Sequence, residues 1–389
     1  MLDGVNVALG VTGSIAAVRT VELAHELRRR GAAVRGVLTE AARGIVHPWA
    51  VQFATDRPPV TELTGDVEHV DLCGRDGWAD ALLVAPATAN TVGKMAAGID
   101  DTTVTSCATT ALGAECPVVV APAMHEPMYD HPAVETNLAR IEEWGVDVVP
   151  PRLEEGKAKI ATHDAIATAV ARAVPPSPLA GRSVVVTSGA TAEPIDAVRV
   201  LTSRASGRTG RAVARACAAL GADVTLVHPD GAEPWATTRT AATAAEMRSE
   251  TLRACEDADA LVSAAAVGDY TVDPAAGKLP SGEPRTLELE PTPKLVDAVR
   301  DAFPDLTIVG FKTEADADRD ALVEAARAQN DRVDLAFTVA NDASVMGDVE
   351  TEAYLVPADA GGVERIAGSK AFLGATVAAG LADALDGAV

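Results

Sequence analysis

Residues 181–211, GRSVVVTSGATAEPIDAVRVLTSRASGRTGR, decide the fold, because here a chain that has already completed one α/β unit begins a second. Ser183, Val184, Val185, Val186 and Thr187 form a run too short and too β-branched for a helix. They predict a buried parallel strand that ends in the small-residue turn Ser188-Gly189-Ala190-Thr191. Open α/β sheets bind ligands at such strand ends. After an irregular segment, Ser206-Gly207-Arg208-Thr209-Gly210 opens a helix over 212–220, Gly221 closes it, and a strand follows over 223–227. A glycine-rich helix start presents N–H groups to an anion and lets it approach closely. The helix dipole supplies only about 0.3 to 1 kcal/mol, so several N–H bonds and a cation must do most of the binding. Arg204, Arg208 and Arg211 are the available cations.

The 389 residues are enough for two domains, each with its own core, and 48% hydrophobic content fits a globular chain. No apolar run approaches a membrane span, and MLDGVNVALG passes directly into a strand pattern, so a cytoplasmic protein is expected. Cys73, Cys107, Cys116, Cys217 and Cys255 form no CxxC pair, which argues against a zinc site or a disulfide framework. The net charge of -23 comes with only seven lysines among 33 basic residues, a surface suited to a salt-rich cytoplasm. Nucleic-acid binding needs a basic footprint and is not expected. Lys157 and Lys370 read as ordinary surface charges.

Upstream, residues 5–11 predict a strand, Thr12-Gly13-Ser14 a turn, 16–30 an amphipathic helix and 34–38 the next strand. Gly13 and Ser14 then stand at a helix N-terminus, a phosphate-binding geometry, although neither GxGxxG nor a P-loop is present. Strands over 81–85 and 118–121 run into Pro86-Ala87-Thr88-Ala89-Asn90-Thr91 and Pro122-Ala123-Met124-His125-Glu126-Pro127-Met128-Tyr129. Small residues there admit a flat ring, while Thr and Asn side chains can bond its edges. His69 and His125 are the nearby groups able to move a proton near neutral pH.

TGSIAA, EHVDL (68–72), WADALLVAPATANTVGKMAAGI (78–99) and PAMHEPMY (122–129) together resemble the flavin-dependent cysteine decarboxylase family, specifically phosphopantothenoylcysteine decarboxylase. The resemblance implies a flavodoxin-like fold over residues 1–174 that binds FMN. Gly13, Ser14 and Thr39 would lie near its phosphate, Thr88, Asn90 and Thr91 around its ring, and His69 would be the catalytic base. Direct decarboxylation of an amidoethanethiol carboxylate would leave an unstabilised carbanion, whereas prior oxidation of the thiol by the flavin supplies an electron sink.

This chain departs from that family pattern at three places. His125 and Tyr129 replace an Asn and a Trp, and His125 retains a donor for the substrate carboxylate. The segment that carries the family's proton-donating cysteine reads PRLEEGKAKI here (151–160) and has no cysteine, leaving Glu154, Glu155 or Lys157 as donors.

Val174-Pro175-Pro176-Ser177-Pro178 predicts a stiff linker (175–180), and residues 181–389 a second domain. Strands over 183–187, 223–227, 259–264, 306–310 and 334–339 with intervening helices predict a Rossmann-like doubly wound parallel sheet. Residues 349–366 predict a hairpin turning at Asp359-Ala360-Gly361-Gly362, and 370–385 a last helix. TSGATAEPIDAVR, TSRASGRTG, SAAAVGDY (263–270), GFKTE (310–314) and AND (340–342) resemble phosphopantothenate-cysteine ligase. That implies activation of 4'-phosphopantothenate as an acyl nucleotide, with CTP as cosubstrate and Mg2+ held with the nucleotide, then amide formation with cysteine. Ser263, Ala264, Ala265, Asp269, Pro293, Lys294, Leu295, Val296, Phe311 and Arg327 would contact the nucleotide, and Lys278 would belong to a mobile flap closing on the acyl intermediate. The flap reads Lys278-Leu279-Pro280-Ser281, with fewer lysines than the family pattern, and Asp331 stands where a second phosphate lysine is usual. Ser203 occupies the position of the Asn thought to bind the intermediate.

Taken together, the resemblances imply a bifunctional coenzyme A biosynthesis enzyme assembled from trimers of flavin domains and dimers of ligase domains, up to a dodecamer. The competing readings are a flavin prenyltransferase-like N-terminal domain and a ligase fused to a non-catalytic FMN-binding regulatory domain.

Overall fold

The computed structural model describes residues 1–387 apart from 283, 346, 347, 349, 359 and 360, and the chain divides into two compact units, Met1–Ser177 and Pro178–Val389. In the first unit, β1 (Asn6–Val11), β2 (Ala33–Leu38), β3 (Ala81–Ala87), β4 (Val118–Pro122) and β5 (Asp147–Val148) form one parallel sheet in the order β2-β1-β3-β4-β5. Every residue of β3 is buried, as expected of a strand covered on both faces. The helix expected over 16–30 is instead a 3-10 turn, Ile15–Arg19, followed by α1, Thr20–Arg29. The physical reason lies in Ser14: its Oγ accepts from Ala16 N at 3.3 Å and donates to Ala123 O at 3.1 Å, holding the first turn tightly wound. The helix α1 then buries Leu23, Ala24 and Leu27. Also in this unit are α2 (Glu68–Cys73), α3 (Ala89–Ala97) and a small antiparallel sheet of Met124–His125, Arg152–Glu154 and Lys157–Lys159.

The second unit carries an eight-stranded sheet. Its strands are β6 (Ser183–Thr187), β7 (Asp223–His228), β8 (Thr237–Thr240), β9 (Ala260–Ser263), β10 (Thr307–Glu314), β11 (Phe337–Asp342), β12 (Glu350–Pro357) and β13 (Glu364–Ser369). Their order is β8-β7-β6-β9-β10-β11-β12-β13; the first six are parallel and the last two join antiparallel. The β12–β13 hairpin therefore extends the main sheet, and the Asp359 and Ala360 expected at its turn lie outside the described residues.

Several expected boundaries move; the strand expected over 306–310 runs on to Glu314 and the one over 259–264 stops at Ser263. The helix α4 runs Arg208–Ala219, starting four residues before the expected position, because Gly207 takes the left-handed conformation (φ 70) and delivers Arg208 directly into the first turn. The strand expected to begin at Asp334 begins at Phe337, because α5 (Arg319–Val333) ends with Asp334 in the left-handed region at φ 51. A last helix, α6 (Lys370–Asp386), packs on α4 at Gly374, where a Cβ would come within 2.6 Å of Ala212 backbone atoms.

Candidate functional site

Each unit has a cavity at the carboxyl ends of its strands, at the point where the strand order reverses. In the first unit that point lies between β1 and β3, and the cavity, about 430 Å3, is lined by Gly13, Ser14, Thr88, His125 and Lys157 among others. A hydroxyl stitches the two strand ends together: Thr12 Oγ1 donates to Pro86 O at 2.7 Å and accepts from Thr88 N at 3.2 Å. Thr88 Oγ1 in turn accepts from Thr91 N at 3.2 Å and lies 3.0 Å from Thr91 Oγ1, capping α3. A Cβ on Gly13 would lie 2.5 Å from that of Ala41, so this cavity-lining turn packs on Ala41 only with glycine in place.

The other residues expected around a flavin stand further off. Thr39 is buried, capping the short helix Glu40–Arg43 through Ala42 N at 3.2 Å, and Asn90 is exposed on α3; neither lines the cavity. His69, on α2, also lies outside it, and its Nδ1 is buried with no hydrogen-bond partner. Among the three proton-donor candidates only Lys157 lines the cavity, paired across the small sheet with His125. Glu154 is held by Arg152 and Lys159, and the hydrogen bond from Lys159 to Glu155, 2.9 Å, keeps the Glu155 carboxyl below the usual range and so ionised, with no proton to give near neutral pH. Lys157 is exposed, as its expected surface role requires, and it also borders the cavity.

In the second unit the reversal lies between β6 and β9. There a cavity of about 270 Å3 is lined by Gly189, Ser206, Arg208, Ala264, Ala265 and Asp269, with Phe311 and Asn341 across from them. Gly210 lets α4 approach β6: a Cβ there would fall 2.6 Å from Ser188 Cβ and 2.9 Å from Thr187 O. Ser263 is buried at the end of β9, and Asp269 receives Lys294 Nζ at 2.5 Å. Leu295 is buried in the core with Val185 and Leu261, and Val296 packs against the same cluster. Pro293, Arg327 and Lys278 are exposed and outside the cavity. Ser203 is also outside, its Oγ accepting from Ala205 N at 3.3 Å.

Sequence reasoning missed Lys370. It lines this cavity and is buried, so the expected surface role is corrected. The local sequence Gly-Ser-Lys gives no such signal, since the burial arises only when α6 docks on α4.

The cysteines offer no nucleophile. Burial pushes Cys217 and Cys255 up to about 12, the Cys107 thiol and burial push Cys73 up, and none of the five lines either cavity. Among the described residues no group of three or more His, Cys, Asp or Glu could hold a metal, and no helix is long and apolar enough to cross a membrane.

The Flavoprotein family matches residues 1–174, and the family of the DNA/pantothenate metabolism flavoprotein C-terminal domain matches residues 179–383. The chain is 44% identical over 366 residues to the coenzyme A biosynthesis bifunctional protein CoaBC of Thermococcus kodakarensis, covering 92% of this chain and 90% of that one. It is 34% identical to the protein of the same name from Methanocaldococcus jannaschii, with 95% and 91% covered. A solved structure of the FMN-dependent cysteine decarboxylase SpaF matches 44% of this chain and 99% of its own at 34% identity and a TM-score of 0.40.

Proposed function

Because the chain belongs to the family of coenzyme A biosynthesis bifunctional proteins, we propose that it makes 4'-phosphopantetheine in two steps, with a ligase domain over 181–389 and a decarboxylase domain over 1–174 joined by a linker at 175–180. The ligase joins 4'-phosphopantothenate to cysteine with CTP and Mg2+; the decarboxylase removes the cysteine carboxylate from that product. The observation that carries the reading is that one chain builds two ligand crevices, each at a strand-order reversal, from Gly13 and Thr88 in one and from Gly189 and Ala264 in the other.

The first crevice fits FMN in chemistry: the Gly13–Ser14 turn and the Thr88 hydroxyl stand at two strand ends, alanines leave room for a flat ring, and Arg19 offers a cation for a phosphate. Gly13, Ser14 and Thr88 would hold it, and when bound it supplies an acceptor and donor of an electron pair. His125 binds the substrate carboxylate, and Lys157, which faces it on the neighbouring strand, delivers the proton that replaces carbon dioxide on the product carbon. His69 serves as base in a neighbouring copy's cavity. Its position outside its own cavity supports this, as do Val67 and Val70 beside it, exposed at 47% and 46%. The proposed assembly is accordingly a homo-oligomer with trimeric flavin domains and dimeric ligase domains.

In the second crevice Ala264, Ala265 and Phe311 accommodate the nucleotide, and Asp269 with Lys294 borders it. Lys278 closes from outside on the triphosphate, and Ser203 contacts the acyl intermediate. The acid-rich surface fits work in a salt-rich cytoplasm.

Two variants separate the activities. His69→Ala is expected to abolish decarboxylation with FMN retained and the ligase intact, and Lys278→Gln to impair only the ligase. Decarboxylation by His69→Ala, or unchanged nucleotide-dependent turnover by Lys278→Gln, would remove the respective role.

A further inference from the structure

Of the cations lining the second cavity, Lys370 stands apart. Lys312 is paired with Glu314 at 3.0 Å. Lys370 is only 8% exposed, yet among the described residues its Nζ meets a backbone carbonyl, that of Val345, at 3.4 Å, and no carboxylate. A buried ammonium without a counter-charge is costly and is normally kept where an anion completes it. Burial, reinforced by the Arg208 guanidinium, pushes the Lys370 ammonium below its ordinary value against the opposing influence of Asp348, so two cations face the same space. A second unsatisfied group lies in that cavity: Ser206 Oγ is buried with no hydrogen-bond partner. The helices α4 and α6 both begin there, brought together by the close contact at Gly374, and Lys370 is the first residue of α6 as Arg208 is of α4. An oxyanion with several acceptor oxygens would satisfy the ammonium, the hydroxyl and the N–H groups opening α4 at once.

We propose that Lys370 and Ser206 bind a phosphoryl group of a ligase substrate in this cavity, Lys370 supplying the charge and Ser206 a hydroxyl donor. The assignment rests on the ligase reading of the second unit. The shared chemistry is a phosphate or phosphoanhydride oxyanion, which either the nucleotide or the phosphorylated acid can bring.

The test uses the full-length protein. Inorganic pyrophosphate and inorganic phosphate are titrated calorimetrically into wild type, Lys370→Met, Lys370→Arg and Ser206→Ala, and ligase KM values are measured for both substrates. Lys370→Met is expected to weaken anion binding at least tenfold, Lys370→Arg to restore it to within about threefold, and Ser206→Ala to weaken it about threefold. A rise in KM confined to the nucleotide assigns the site to its phosphates; a rise confined to 4'-phosphopantothenate assigns it to that substrate. If Lys370→Met does not fold, Ser206→Ala carries the test, since it removes no charge. Anion affinity and both KM values equal to wild type in the folded variants would overturn the proposal, as would a wild type that binds neither anion. Normal ligase turnover with unchanged binding would dismiss Lys370 and leave the ligase reading standing. Lys370-dependent binding without any ligase turnover would do the reverse.

Discussion

Asp196 accepts the backbone N–H of Leu279, the residue after Lys278, at 3.1 Å, across 83 positions of sequence. The same carboxylate takes Val198 N and Arg199 N at 2.8 Å and Arg199 Nη1 at 2.7 Å, while Arg199 also reaches Leu279 O at 3.3 Å. One buried aspartate thus anchors the segment that carries Lys278 to the hairpin turn between Ala192–Pro194 and Val200–Thr202.

Asp196→Ala is therefore expected to loosen the Lys278 segment and raise the ligase KM for nucleotide about tenfold, with decarboxylation unchanged. Burial alone would raise the Asp196 pKa, but the donated N–H groups and Arg199 outweigh it and hold the carboxyl below its usual range. Its stabilising effect is thus fully present above the unfolded value near 3.9 and lost as pH falls through the lower folded value. Acid unfolding of wild type and variant should converge at the low end of that window; parallel curves would show that Asp196 contributes nothing there.

At Gly13, the 2.5 Å approach of a notional Cβ to Ala41 leaves no room for a side chain without movement. Gly13→Ala is expected to cost about 1–3 kcal/mol of stability and to lower the flavin absorbance per protein severalfold, with ligase activity intact. Full flavin content and an unchanged melting temperature would show that this turn does not hold the cofactor.

His228 is fully buried, with neither ring nitrogen hydrogen-bonded, and burial reinforced by Arg211 lowers its pKa against the pull of Asp230. Its folded pKa is depressed, so the stability it allows is complete above the unfolded value near 6.5 and declines as pH falls toward the folded one. Denaturant midpoints measured from pH 7.5 to 5.5 should fall in wild type and fall less in His228→Gln. Identical slopes would assign the titration elsewhere.

The run Ser183–Thr187 announces its strand because β-branching, length and the following small-residue turn agree, and it is β6 to the residue. The Gly13–Ser14 turn is legible for the same reason, since it terminates a strand whose apolar run is unmistakable, whereas the strand expected over 259–264 ends at Ser263 and leaves Ala264 outside it. What stays hidden depends on distant partners. Asp334 reads as strand because a hydrophobic run follows it, whereas the helix before it needs a left-handed terminator. Lys370 reads as a surface charge because its cavity is assembled by helix docking, and the place of the exposed Lys157 beside a cavity depends on a hairpin of only three residues per strand. His69 is visible as a titratable group, but nothing in its spacing places it outside the cavity that Gly13 and His125 share.

The central claim, that one chain performs both steps, is tested most directly by a mass-resolved assay of the purified wild-type protein in high salt with 4'-phosphopantothenate, cysteine, CTP and Mg2+. The account predicts 4'-phosphopantetheine together with carbon dioxide. Phosphopantothenoylcysteine accumulating while FMN remains bound would contradict it, leaving a ligase joined to a flavin domain without decarboxylase chemistry.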